Sequence, residues 1–365
     1  MSADRDKRFM ALALALGARG QGNTAPNPAV GCVLVREGRI VGRGWTQPGG
    51  RPHAEAMALA QAGGFARNAD AYVTLEPCSH HGKTPPCAEA LIAAGVARVV
   101  FAVGDPDPRV SGQGKALLRK AGVVVDAGVL EAEARAAHAG FLTRLSEGRP
   151  ALTLKLAASF DGRIATATGE SQWITGPAAR RAVHGMRARH DAVLIGAGTA
   201  RSDDPTLTVR GLGMAHQPIR IVVSRRLDLP LKSNLAASAK DAPLWLCHGD
   251  DADPDLLGAW SDLGARLLPV ALAGRQIDVA AMMQALGSEG LGTVFCEGGG
   301  ALAASLLDAG LVDRLVGYTA GLALGAEGQP AIGALGLDRL AHAKRFSLES
   351  SRAIGPDIEH IWTRA

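Results

Sequence analysis

With 365 residues, 47% of them hydrophobic and 20% charged, the chain has the apolar mass of a soluble globular protein and exceeds the usual size of one hydrophobic core. Its 39 basic and 35 acidic residues leave a formal charge of +4, too little for a dedicated nucleic-acid binder but compatible with small anionic ligands. No run approaches the ~18 apolar residues of a membrane span, and five scattered cysteines (Cys32, Cys78, Cys87, Cys247, Cys296) form no disulfide framework, so two cytoplasmic domains are expected.

In chain order the pattern predicts a first helix over about Ala3–Leu16. A hairpin follows, Ala29–Val35 and Ile40–Trp45, turning at Glu37-Gly38. Next come a helix over His53–Ala62, a strand over Ala71–Leu75, a helix over Pro86–Ala94 and a strand over Arg98–Val103. A helix–strand–helix stretch runs from Lys115 to Leu145. Gly148-Arg149-Pro150 breaks this pattern, and Leu152–Leu156 starts a new strand, which places a boundary between residues 1–148 and 149–365. Beyond it, buried strands are expected at Ala192–Ile195, Ile219–Val223, Leu244–Cys247 and Thr293–Cys296, with helices such as Ala178–Arg189 and Ala301–Ala309 between them. Both halves read as α/β domains with helices packed on the sheet faces.

The chemistry of the first half lies in Pro52-His53-Ala54-Glu55 and Glu76-Pro77-Cys78-Ser79-His80-His81-Gly82-Lys83-Thr84-Pro85-Pro86-Cys87. One imidazole and two thiolates, from His53, Cys78 and Cys87, suit a tetrahedral zinc that keeps its fourth position for water. Glu55 fits the role of proton carrier from that water to a departing amine nitrogen. Residues two apart point ~200° apart around a helix, so His53 and Glu55 converge only at a helix end. Proline before His53 and before Cys87 marks two such ends. A purely structural zinc would need a fourth protein ligand, for which His80 and His81 are the candidates.

H-x-E followed by P-C and a second cysteine resembles the zinc base deaminases, except that eight residues separate the cysteines. That longer loop, with Ala25-Pro26-Asn27-Pro28-Ala29-Val30-Gly31-Cys32, resembles the deaminase half of the bifunctional riboflavin-biosynthesis deaminase/reductases. The resemblance implies a three-layer, cytidine-deaminase-like domain acting on a diaminopyrimidinone ribosylamine phosphate. On this analogy Asn27 contacts the pyrimidine and Lys83 the phosphate.

In the second half, Gly196-Ala197-Gly198-Thr199-Ala200-Arg201 approaches a dinucleotide fingerprint but has arginine at the third glycine position. Val294-Phe295-Cys296-Glu297-Gly298-Gly299-Gly300 is the better candidate: a buried strand, an acidic residue at its end, then glycines that bare backbone N–H groups at a helix start. Leu154–Ala165, Gly169–Thr175 and Asp203–Arg210 resemble the reductase half of the same family, which implies a dihydrofolate-reductase-like fold using NADPH. The resemblance places Ala157, Trp173, Thr199, Asp203 and the segment Gly299, Gly300, Ala301, Leu302, Ala303, Ala304 and Ser305 at the nucleotide. It places Ser171, Arg187, Leu207, Arg210 and Glu297 at the substrate. As residue types, Arg187 and Arg210 suit bidentate phosphate binding, Trp173 suits covering a flat ring, and Glu297 suits a substrate hydroxyl. Where the family commonly carries an Asp-Ser pair, this chain has Ser224-Arg225-Arg226, so Arg225 or Arg226 is expected to meet the NADPH 2′-phosphate.

The expected protein is thus a two-step enzyme for a phosphorylated pyrimidine, homo-oligomeric, with neither nucleic acid nor membrane as partner. Two rivals remain at this point. A nucleic-acid base deaminase needs an aromatic-lined basic channel, against an aromatic content of 4%. A zinc-stabilised binding module needs four protein ligands.

Overall fold

The computed structural model describes residues 2–79, 85–107 and 111–365. The chain divides into two compact units, Met1–Gly148 and Arg149–Ala365.

In the first unit, a sheet of five strands among the described residues runs in the order Arg39–Trp45, Gly31–Arg36, Asp70–Leu75, Arg98–Val103, Val124–Ala127. The first pair is the expected hairpin. Gly31–Arg36 and Asp70–Leu75 are antiparallel, and the last three strands are parallel. Strand register assigns the faces. Cys32 and Leu34 pair with Gly44 and Gly42, so all four look to one side, where the Ala54–Ala62 helix packs. Gly31 looks to the other side, where a Cβ would strike the carbonyl of Ala13 in the Ser2–Gly17 helix. A sheet with helices on both faces makes the three layers. Phe9, Met10, Leu34, Tyr72, Leu91 and Val100 fill the core between them.

The second unit is built on nine strands among the described residues. Seven are parallel, in the order Arg266–Pro269, Leu244–His248, Ile219–Val223, Ala192–Gly196, Thr293–Cys296, Ala151–Ser159, Arg314–Ala320. The antiparallel strands Asp357–Arg364 and Phe346–Ile354 close one edge. The central strands are apolar runs because helices cover both of their faces. Arg149 opens this unit with a two-pronged ion pair to Asp313, at 2.7 and 2.8 Å. Among the described residues, no helix is long and apolar enough to cross a membrane.

Element boundaries matter at two places. The helix expected from His53 begins at Ala54 and leaves His53 as its N-cap. The helix expected from Pro86 begins at Cys87. The Arg314–Ala320 strand and the final hairpin lie outside the sequence expectation; for the hairpin the reason is that most of Phe346–Ile354 is exposed and lacks an apolar alternation.

The helix bearing His53 and Glu55 approaches the sheet closely enough that a Cβ on Gly44 would lie 2.1 Å from the Ala54 carbonyl oxygen. Only glycine allows that approach, since the atom met is backbone. Gly44→Ala is therefore expected to destabilise the first unit by about 1–3 kcal/mol and to lower bound zinc per chain, read by calorimetry and elemental analysis. Unchanged zinc content would contradict the link.

Candidate active sites

In the first unit the strand Asp70–Leu75 ends at Glu76, whose buried carboxylate accepts the N–H groups of Gly112 and Lys115 at 3.2 and 3.0 Å. This ties down the segment that carries Cys78. The Cys87 N–H donates to Cys78 Sγ at 3.3 Å, and Ala88 N–H to the Cys78 carbonyl at 3.1 Å, which brings the two cysteines together across their loop. His53 Nδ1 lies 3.3 Å from Cys87 Sγ and 3.7 Å from Cys78 Sγ. Zinc bonds of ~2.0–2.1 Å to nitrogen and ~2.3 Å to sulfur, at tetrahedral angles, put such atoms ~3.5 Å apart. The donor set and its spacing fit that ion. Among the described residues this is the one group of metal-ligating side chains whose donor atoms converge, all within 4.8 Å of one another.

Glu55 sits in the first turn of the Ala54–Ala62 helix, 4% exposed, with Cys78, His53 and Cys87 as its electrostatic neighbours. Burial, then the charge of Cys78, raises its pKa. Hydrogen bonding with Cys87, then with His53, pulls the Cys78 thiol down to about 4, the thiolate state a metal ligand requires.

In the second unit a cavity of about 1130 Å³ opens at the carboxyl ends of the parallel strands, the usual ligand position in such sheets. Gly196, Ser224 and Glu297 reach it from three adjacent strand ends, and Lys155 from the middle of the next strand, Ala151–Ser159. Gly298 and Gly299 lead into the Gly300–Asp308 helix, whose N-terminus faces the cavity. A Cβ on Gly298 would lie 2.9 Å from the Gly196 nitrogen, and one on Gly300 would lie 2.6 Å from the Pro330 carbonyl oxygen. The glycines are therefore steric necessities of a close-packed cradle. Thr199 Oγ1 accepts the Gly299 N–H at 3.0 Å. The N–H groups of the helix's first turn have no partner within the helix, which fits a pyrophosphate.

Residues 3–103 match the family model for the cytidine and deoxycytidylate deaminase zinc-binding region, and residues 150–359 match the RibD C-terminal domain. The chain is 42% identical over 364 residues to the riboflavin biosynthesis protein RibD of Escherichia coli K12, covering 97% of this chain and 98% of that one. The chain belongs to the RibD family. Solved relatives agree: Acinetobacter baumannii RibD (36% identity, TM-score 0.88, full coverage of both chains) and a Thermotoga maritima diaminohydroxyphosphoribosylaminopyrimidine deaminase/5-amino-6-(5-phosphoribosylamino)uracil reductase (32%, 0.87, full coverage of both). As a RibD protein it is a bifunctional enzyme of riboflavin biosynthesis, a zinc deaminase joined to an NADPH-dependent reductase. Neither rival reading accounts for the reductase half.

Most residues expected at the RibD reductase site line the cavity: Ala157, Ser171, Trp173, Arg187, Thr199, Asp203, Leu207, Arg210, Arg225, Glu297, Gly299, Gly300, Ala301, Leu302 and Ser305. The weaker glycine motif, Gly196 to Gly198, lines it too. Trp173 is largely exposed, with the Arg180 guanidinium 4.5 Å from its ring centroid.

Three of the expected residues are placed otherwise. Ala303 does not reach the cavity: helical periodicity turns it into the apolar core, fully buried. Ala304 lines an adjoining hollow of about 520 Å³, which shares Gly300, Ala301 and Ser305 with the larger cavity. Arg187 does not present its fork for a phosphate. Its Nε and one terminal nitrogen donate to Glu297 at 2.5 and 3.1 Å, and the other terminal nitrogen donates to the Thr208 carbonyl at 3.0 Å.

Lys155 Nζ lies 3.8 Å from the same Glu297 carboxylate. Burial works to raise the Glu297 pKa, but Arg187 and Lys155 outweigh it and hold the group ionised. Lys155 was quoted in the sequence motif without a role. A lysine in a strand flanked by strands on both sides was the available signal. Arg225 lines the cavity with its guanidinium on Asp251, at 3.1 and 2.5 Å, whereas Arg226 is more exposed and 3.6 Å from that carboxylate. In the deaminase unit, the Asn27 amide donates to the Gly50 carbonyl at 3.0 Å, which ties together two loops distant in the chain. Lys83, His80 and His81 lie outside the described residues.

Proposed function

We propose that residues 1–148 carry the deamination and residues 149–365 the reduction. The substrates are those in the name of the Thermotoga relative: a diaminohydroxyphosphoribosylaminopyrimidine, then 5-amino-6-(5-phosphoribosylamino)uracil. The observation that carries this reading is the convergence of His53, Cys78 and Cys87 beside the buried carboxyl of Glu55.

His53, Cys78 and Cys87 would hold the zinc, which supplies Lewis-acid activation of water at neutral pH when bound. Asn27 would face the pyrimidine and Lys83 the phosphate. Glu55 takes a proton from the attacking water and delivers it to the departing amine nitrogen, so that water adds to the amine-bearing ring carbon and ammonia leaves. Its burial keeps bulk water from competing for that proton.

In the reductase unit, the first-turn N–H groups after Gly299, together with Thr199, would hold the pyrophosphate of NADPH, which supplies hydride when bound. Trp173 would cover one of its flat rings, with Ala157, Asp203, Ala301, Leu302 and Ser305 shaping the remaining wall. Arg225 would turn from Asp251 to the 2′-phosphate. Glu297, kept ionised by Arg187 and Lys155, would accept a hydrogen bond from a hydroxyl of the ring-opened ribosyl chain. Ser171, Leu207 and Arg210 would line the rest of the substrate end, Arg210 meeting the phosphate.

The chain is further proposed to act as a cytoplasmic homo-oligomer. Its five cysteines are unpaired, as in a reducing compartment. The edge strand Phe346–Ile354 is exposed with Leu348 upon it, a surface suited to a second copy.

Glu55→Gln is expected to retain zinc and abolish ammonia release, while reduction of supplied deaminated substrate continues; retained deaminase turnover would sink the proton-carrier role. Removing a charge-assisted contact to phosphate, Arg225→Ala is expected to narrow the NADPH-over-NADH preference by about tenfold, and Arg226→Ala to change it less. Steady-state kinetics with both nucleotides decides, and an unchanged preference in both variants would refute the assignment.

A further inference from the structure

His184 lies on the Pro177–Arg187 helix, one turn before Arg187, and lines the cavity wall. Its Nδ1 accepts the backbone N–H of Arg210 at 3.2 Å, which leaves the ring proton on Nε2. The charged groups around it are Arg187 on its own helix, Arg210 on the neighbouring loop and Glu297 at the strand end, and the Thr208 carbonyl is within hydrogen-bonding reach of the ring on the same side as the Arg210 backbone. Burial first, then the two arginines, lowers its pKa, so the ring is a neutral N–H donor at neutral pH.

The surrounding pairings narrow what this donor serves. Arg187 has all three guanidinium nitrogens engaged by Glu297 and the Thr208 carbonyl, while the Lys155 ammonium lies 3.8 Å from the same Glu297 carboxylate. Arg210 is exposed and makes no ion pair among the described residues. An anionic group entering at this end meets the Arg210 guanidinium and the ring whose other nitrogen is bonded to the Arg210 backbone. The Arg210 N–H fixes the ring against the Arg210 backbone, so the root of the Arg210 side chain lies beside the ring. Two donors from adjoining elements suit a phosphate monoester, which has several acceptor oxygens, better than a single hydroxyl.

We propose that His184 is a specificity-determining residue of the reductase, donating from Nε2 to the phosphate group of the substrate alongside Arg210. This rests on the placement of the substrate phosphate at Arg210. The ring then selects phosphorylated over unphosphorylated substrate, acting on binding and leaving hydride transfer alone.

The test uses the full-length, zinc-loaded enzyme with saturating NADPH. Wild type, His184→Leu, His184→Gln and Arg210→Met are compared on 5-amino-6-(5-phosphoribosylamino)uracil and on its dephosphorylated nucleoside. An NADPH Kd within about twofold of wild type shows that the reductase unit is intact. For His184→Leu, KM for the phosphorylated substrate is expected to rise by about tenfold or more, the size of a lost hydrogen bond to a charged group. Its kcat should stay within about twofold, and KM for the nucleoside should not change. His184→Gln, which restores a side-chain N–H, should recover most of the loss. A phosphate-selective loss in Arg210→Met but none in His184→Leu would overturn the role of His184 alone. Equal losses on both substrates in His184→Leu would overturn it as well. No phosphate selectivity in either variant would overturn the placement of the phosphate, and the His184 assignment with it.

Discussion

Backbone polar groups inside a sheet satisfy one another, but those at the carboxyl ends of parallel strands and at helix starts do not. Both candidate sites of this chain lie where that pairing ends. The strand Asp70–Leu75 runs into Glu76, which accepts two backbone N–H groups and so holds the Cys78 segment in place. The strand Thr293–Cys296 runs into Glu297, which Arg187 and Lys155 hold ionised, and then into a glycine cradle. In each unit a buried carboxylate at a strand end first fixes the scaffold. The groups around it then become available for chemistry.

The remaining architecture follows from keeping those ends close to their partners. In the first unit, glycines at positions 42 and 44 let a helix sit directly on a strand, which sets where His53 and Glu55 emerge. In the second, glycines at 298 and 300 do the same for the helix that faces the cavity. Removing one partner at such a site leaves a buried charge with less compensation, and Arg187 is held by Glu297 in this way. Arg225 differs: its ion pair with Asp251 lies near solvent, where such pairs are weak and exchangeable.

The sequence made the metal site legible because its ligands come in two short segments with proline before His53 and Cys87, so local spacing carried the geometry. It also showed the alternation of strands and helices in both units. It did not show partners distant in the chain. Nothing in the isolated Arg187 announces a carboxylate at Glu297, and nothing in the isolated His184 announces the Arg210 N–H. A contiguous segment cannot line one wall when it is helical: Gly300, Ala301, Leu302 and Ser305 reach the cavity, while Ala303 turns into the core. The final hairpin escaped because an exposed edge strand needs no apolar alternation.

The central claim is that one chain performs two separable steps, the first owing nothing to NADPH. The most direct measurement incubates the purified enzyme with the diaminohydroxyphosphoribosylaminopyrimidine, with and without NADPH, and follows product mass. Exchange of amine for oxygen gives a gain of about one mass unit without NADPH, and hydride plus proton give a further gain of about two when it is present. A product two units heavier that retains its amine, or no conversion without NADPH, would contradict the account.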